Sequence, residues 1–184
     1  MPHDRTPPRV TTRTGDGGDT SLFGKGRVRK HDARIETLGA LDEAQAVLGV
    51  ARAQAPAGVA ALILELQRGL YVAMSEVATP QADLGRLPAR IDAVAIALLD
   101  ERASALKATT ELEGRFVIPG EDALSAALDH ARTVIRRAER HAVALVDANL
   151  LDGTHVLPWL NRLSDVVFIL SRSVEGTPLG ARAT

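Results

Sequence analysis

Ala131-Arg132-Thr133-Val134-Ile135-Arg136-Arg137-Ala138-Glu139-Arg140 lies inside a run from about Leu124 to Val146 that reads as one amphipathic helix. Leu128, Ala131, Ile135, Ala138 and Ala142 recur at the three- and four-residue steps of an α-helix. At about 100° per residue, Arg132, Arg136 and Glu139 fall within roughly 60° of one another, and the apolar set centres about 90° away. The charged stripe therefore borders the buried face and does not oppose it. Two arginines one turn apart can grip a polyphosphate with their forked donors. Glu139 can orient one of them or take part in holding a metal ion. A solvated face laced with i,i+3 and i,i+4 ion pairs uses the same residues, each pair contributing ~0.2–0.5 kcal/mol, and the spacing alone does not choose between the two.

The same periodicity extends on both sides. From Asp32 onward, Ile35, Leu38, Leu41 and Leu48 mark a first helix that ends before Pro56. Leu62, Leu66, Leu70, Ala73 and Val77 mark a second, stopped before Pro80. A polar stretch with Gly85 and Pro88 follows, and Ile91, Val94, Leu98 and Leu99 begin a third. Gly114 to Gly120 interrupts the pattern around Phe116-Val117-Ile118-Pro119. After the run from Leu124 to Val146 comes a fifth helix, from about Leu157 to Val174, with Leu160, Leu163, Val167 and Leu170 and with Pro158 in its first turn. No strand pair, internal repeat or low-complexity block is evident. The expected fold class is all-α, a five-helix bundle with up-down packing. Alanine, leucine and valine dominate the core, and only 3% of residues are aromatic, so helices can approach closely.

The 184-residue chain suits one domain, expected over 11–174, with tails at 1–10 and 175–184. A net charge of −1 argues against a general nucleic-acid binder. No apolar run reaches the ~20 residues that span a bilayer, so no membrane partner is expected. The chain has no cysteine, which rules out thiolate chemistry and is compatible with a cytoplasmic location. His31, His130, His141 and His155 have no ligand spacing, and Trp159 reads as packing.

The loop before the first helix, residues 11–30, carries Gly15, Gly17, Gly18, Gly24 and Gly26. Such a loop lets backbone N–H groups crowd around an anion. It is neither of the common nucleotide fingerprints. Gly24-Lys25 has Asp19 where a P-loop needs its first glycine, and Thr20 stands where Gly15-x-Gly17 needs a third. Glu-x-x-His, the di-iron bundle signature, is absent.

Thr12-Arg13-Thr14-Gly15-Asp16-Gly17-Gly18-Asp19-Thr20 resembles the opening Thr-Lys-x-Gly-Asp-x-Gly-x-Thr of the PduO-type ATP:corrinoid adenosyltransferases. Arg27 to Glu36 with Gly39-Ala40-Leu41-Asp42-Glu43, then Phe116-Val117-Ile118-Pro119-Gly120, Ala131 to Arg140, and Leu160-Asn161-Arg162-Leu163-Ser164-Asp165 match later blocks of that family in order. The resemblance implies a homotrimer of five-helix bundles with active sites at subunit interfaces. It implies transfer of the 5′-deoxyadenosyl group of ATP to the cobalt of a reduced corrinoid such as cob(I)alamin, with Mg2+ accompanying the ATP. The implied ATP contacts are Thr12, Arg13, Thr14, Gly15, Thr20, Ser21 and Lys30, with Arg136, Arg137, Glu139, Arg140 and Asn161. Arg132 and Asp42 match a family ion pair near the corrinoid. Phe116 matches the aromatic residue that helps to displace the lower axial cobalt ligand. Hand-off of product to an adenosylcobalamin-dependent mutase is a further implied partnership.

The chain departs from the family pattern at Arg13, where lysine is usual, and at Asp19, a negative charge within a phosphate loop. Ala44-Gln45 and Glu121 are further departures. Asp19 and Glu121 leave open a second expectation, a non-catalytic corrinoid- or ATP-binding carrier or sensor on the same fold.

Overall fold

The computed structural model describes residues 11–23, 26–112, 117–175 and 179–180. Five α-helices form the body: α1 (Ala33–Gln54), α2 (Ala57–Ala78), α3 (Ala93–Lys107), α4 (Ala123–Asp147) and α5 (Val156–Val174). Three of them begin on an aspartate whose carboxylate accepts a backbone N–H of the first turn: Asp32 from Arg34, Asp92 from Ala95 and Asp122 from Ser125. Pro56 before α2 and Pro80 after it set its limits. The polar stretch that follows holds one 3-10 segment, Gln81–Arg86.

In the bundle α1 packs on α4 and α2, α4 on α5, and α5 on α3. Leu41, Leu48, Leu66, Leu70, Leu128, Ile135, Leu145, Leu160 and Leu163 are fully buried at its centre. The expected apolar stripes are thus the core stripes, and the five-helix expectation holds. By length and composition α2 could cross a membrane. Here Leu66 and Leu70 enter the core, and Glu65 pairs with Arg102 of α3 at 3.1 Å.

The absence of strands was not borne out. Two short antiparallel ribbons occur, β1 (Asp19–Ser21) with β2 (Arg27–Arg29), and β3 (Val117–Ile118) with β4 (Leu179–Gly180). Strands of two or three residues are too short to show alternation, and Val28 lies between two arginines.

Trp159 is buried, with its indole against α2 at Gly69. A Cβ added at Gly69 would stand 2.9 Å from Trp159 Cη2 and closer still to Cζ2. Gly69→Ala is therefore expected to destabilise the fold by about 1–3 kcal/mol through overpacking, read as a lower urea midpoint. A midpoint equal to that of the wild type would show that the indole moves aside freely.

Candidate functional site

The N-terminal loop is held in shape by two arginines from β2. Residues alternate in direction along a strand, so Arg27 and Arg29 leave the same face and reach back together. Arg27 donates to the carbonyls of Thr14 (2.6 Å) and Asp19 (3.1 Å). Arg29 donates to the carbonyl of Gly17 and to the Asp19 carboxylate, both at 3.0 Å. Asp19, the odd charge of the loop, is thereby neutralised by its own ribbon partner. Gly18 takes a left-handed conformation (φ 85°), and any side chain there would press on the Arg29 guanidinium. Arg13 also has positive φ (59°), a conformation uncommon outside glycine.

This scaffold turns polar groups outward. Thr12 and Thr14 hydroxyls lie 3.0 Å apart on the exposed side. Lys30 folds over Gly15, its Nζ 3.2 Å from where a Cβ of residue 15 would be. The backbone N–H groups of Gly15 and Gly17 have no acceptor among the described residues. Thr20 and Ser21 lie on β1. Lys30 over Gly15, beside the amides of Gly15 and Gly17, gives this loop an arrangement that can cradle an anion. Of the expected loop contacts, the fold joins Thr12 to Thr14 and Gly15 to Lys30.

The loop is fixed to the end of the bundle. Phe23 N–H donates to the carbonyl of Ala78 at the end of α2 (2.9 Å). Just after the ribbon, the buried guanidinium of Arg34 donates to the carbonyls of Val77 (2.8 Å), Thr79 (3.1 Å) and Leu150 (2.8 Å). One side chain thus ties the start of α1 to the ends of α2 and α4. Burial pushes its pKa down, opposed by nearby Asp32.

On α4 the charged stripe borders the core, as its phase requires. Arg136 and Arg140 are exposed, while Arg137 and Glu139 are half-buried. Glu139 accepts from the Asn161 amide across to α5 (2.9 Å). Arg137 pairs with Glu43 of α1. Arg140 donates to the carbonyl of Arg136 (3.0 Å). The fold therefore brings together Arg136, Glu139, Arg140 and Asn161 and gives Arg137 an intrachain partner. Among the described residues, no hydrogen bond joins this cluster to the loop.

Arg132 and Asp42 do not meet within one chain. Arg137 opposite Glu43 and Arg34 at Leu150 show that α1 and α4 run antiparallel. In that register Asp42 is level with residue 138, six residues or about 9 Å along the axis from Arg132. Asp42 is exposed, and Arg132 turns instead toward Asp129, with Nε 3.9 Å from Oδ1. Phe116 lies outside the described residues.

Sequence reasoning missed Arg27, Arg29 and Arg34 as organisers of the loop. The Arg-x-Arg alternation was the available signal for the first two. A buried arginine at the start of an apolar helix gave none.

The family model for cobalamin adenosyltransferases matches residues 10–174. A corrinoid adenosyltransferase of Mycobacterium tuberculosis is 42% identical over 169 residues, covering 89% of this chain and 87% of the relative. One from Citrobacter freundii is 38% identical over 171 residues, covering 92% and 97%. Among solved structures, a variant PduO-type ATP:corrinoid adenosyltransferase from Lactobacillus reuteri, complexed with cobalamin and ATP, superposes with a TM-score of 0.84 at 26% identity, covering 95% of this chain and all of that one. With the family model spanning the loop, the arginine stripe and all five helices, this chain belongs to the cobalamin adenosyltransferase family.

Proposed function

We propose that this protein transfers the 5′-deoxyadenosyl group of ATP to the cobalt of a reduced corrinoid, giving adenosylcobalamin and triphosphate. The single observation that carries it is the pairing of an anion cradle at Gly15 and Lys30 with an exposed arginine stripe on α4, in a chain of this family. In this reaction Co(I) attacks C5′ of ATP, a cobalt–carbon bond forms, and the C5′–oxygen bond breaks. The electron pair leaves with the triphosphate. Co(I) is already strongly nucleophilic, so no general base is required. The protein's work is alignment and stabilisation of the departing charge.

The residues divide accordingly. Thr12, Arg13, Thr14, Gly15, Thr20, Ser21 and Lys30 hold one side of the nucleotide. Arg136, Arg140 and Asn161 meet it from the bundle, with Glu139 fixing Asn161 and Arg137 anchored on Glu43. Arg132, Asp42 and Phe116 serve the corrinoid. Magnesium travels with the triphosphate. Such an ion is carried chiefly by phosphate oxygens and water. Glu139 is the carboxylate this chain would offer to it.

The active unit in this reading is a homotrimer. Among the described residues loop and stripe share no bond, Asp42 is exposed, and Arg132 turns its inner edge to Asp129 and does not meet Asp42, so in this reading a neighbouring subunit completes both pairs. Exposed Tyr71, Val50 and Val94 supply apolar surface for such contacts. The reaction belongs in the cytoplasm, where ATP and reductant are supplied, and its product can pass directly to a mutase. Asp19, the chief hint of a non-catalytic carrier, is accounted for by Arg29. An obligate monomer, made by charge substitution at the interface, is expected to be inactive when ATP, magnesium and reduced cobalamin are supplied. Wild-type turnover by a folded monomer would refute the shared site.

A further inference from the structure

Asp129 of α4, Arg172 of α5 and Glu175 just beyond α5 form a buried ionic cluster to which the reaction gives no role. Their side chains are 6%, 6% and 1% exposed. Arg172 donates to Asp129 through one Nη, and Glu175 stands 2.5 Å from the other as an ion pair without hydrogen-bond geometry. The Ser171 hydroxyl lies 3.3 Å from Asp129 Oδ1. Burial pushes the Glu175 carboxyl up; Arg172 pulls it back, while Asp129, Asp122 and Glu121 push it the same way as burial. Removing three ionic groups from water is costly, and such clusters seldom add stability over apolar packing.

One turn after Asp129 comes Arg132. Its Nε is buried without a hydrogen-bond acceptor and faces Asp129 Oδ1 at 3.9 Å. The Arg132 and Arg172 guanidinium groups both stand by the ring of Phe168, 5.9 and 5.8 Å from its centroid. With Arg132 included, the cluster holds two carboxylates and two guanidinium groups and is balanced. Asp129 draws the inner edge of the Arg132 guanidinium, and the ring sets its plane. The outer edge, with its two Nη groups, is left for a second carboxylate or a polar acceptor.

We propose that Asp129, locked by Arg172 and Glu175, is a positioning residue that sets the Arg132 guanidinium for the corrinoid. The proposal rests on the reading that Arg132 faces the corrinoid. It makes the segment following α5 part of the acceptor site's support, because Glu175 holds the far side of Arg172.

The test measures KM for cobalamin and for ATP in Arg132→Ala, Asp129→Asn, the double variant of these two, and Asp129→Asn/Arg172→Gln. The last removes one charge of each sign, so Glu175 and Arg132 stay balanced even if Asp129→Asn alone fails to fold. Arg132→Ala is expected to raise the cobalamin KM. Asp129→Asn should raise it about tenfold and leave the ATP KM within twofold, as should the charge-balanced variant. The Asp129→Asn/Arg132→Ala protein should be no worse than Arg132→Ala, since one residue acts through the other. If Arg132→Ala leaves the cobalamin KM unchanged, the assignment of Arg132 fails. If Arg132→Ala raises it but the folded Asp129 variants do not, or if the two effects multiply, the positioning role of Asp129 is overturned while that of Arg132 stands.

Discussion

Arg136→Ala lowers turnover by about 10²–10³-fold, the loss expected when one donor to the charge developing in the transition state is removed. The side chain is exposed on α4, and among the described residues its guanidinium makes neither hydrogen bond nor ion pair. The fold therefore does not depend on it. Arg132 and Arg137, on either side, are engaged with Asp129 and Glu43. Arg136 is the stripe arginine left free to meet a triphosphate. The leaving group gains charge as the C5′–oxygen bond breaks, so the loss should fall chiefly on kcat. Arg136→Lys should recover only part of it, because a point charge replaces a two-pronged donor. Steady-state kinetics with a thermal melt as control decides it. An unchanged kcat in a protein melting like the wild type would remove Arg136 from the triphosphate site.

Arg34→Met has the largest expected effect on stability. The substitution keeps the aliphatic stem but deletes the guanidinium of a residue that is 7% exposed and serves three carbonyls, those of Val77, Thr79 and Leu150. Charged hydrogen bonds are worth more than neutral ones, and the acceptors left behind remain largely shielded from water. A loss of about 3 kcal/mol is expected. Because Arg34 follows the β1–β2 ribbon by only a few residues, the anchoring of the loop at Ala78 should loosen as well. ATP affinity should then fall more than corrinoid affinity. Urea unfolding measures the first effect and calorimetric ATP titration the second. A stability change below about 1 kcal/mol would mean that water replaces the guanidinium at all three carbonyls.

The helices were legible because core positions repeat at a fixed step. Leu66 and Leu70, or Ile135, Ala138 and Ala142, announce both the element and its buried side. The starts of α1, α3 and α4 lie at capping aspartates, which the apolar pattern alone did not mark, and one start needed adjustment. Ile91, expected inside the third helix, lies before its cap at Asp92, with its side chain in the core and its N–H donating to the buried carboxylate of Glu76. The site was legible in its residues but not in its joints. Arg136, Glu139 and Asn161 could be placed on facing helices, yet nothing in the sequence shows that Glu139 and Asn161 bond. The support of the loop by Arg27, Arg29 and Arg34 goes mostly to backbone carbonyls, which carry no sequence signal, so the Arg-x-Arg alternation hinted at the donors but not at what they hold. The Asp129, Arg172 and Glu175 cluster joins two helices whose residues are 43 apart, and only the packing of α4 on α5 brings them together. Asp19 shows the reverse case: awkward as a lone charge in a phosphate loop, it is ordinary once β1 and β2 pair.

The central claim is the transfer of an adenosyl group to cobalt. Its most direct test is the visible spectrum of cob(II)alamin incubated with the folded, oligomeric protein, ATP, magnesium and a reductant, in the dark. The expected result is conversion to the light-sensitive spectrum of adenosylcobalamin, with one triphosphate released for each corrinoid consumed. A protein that binds both ATP and cobalamin yet leaves the corrinoid spectrum unconverted would contradict the assignment.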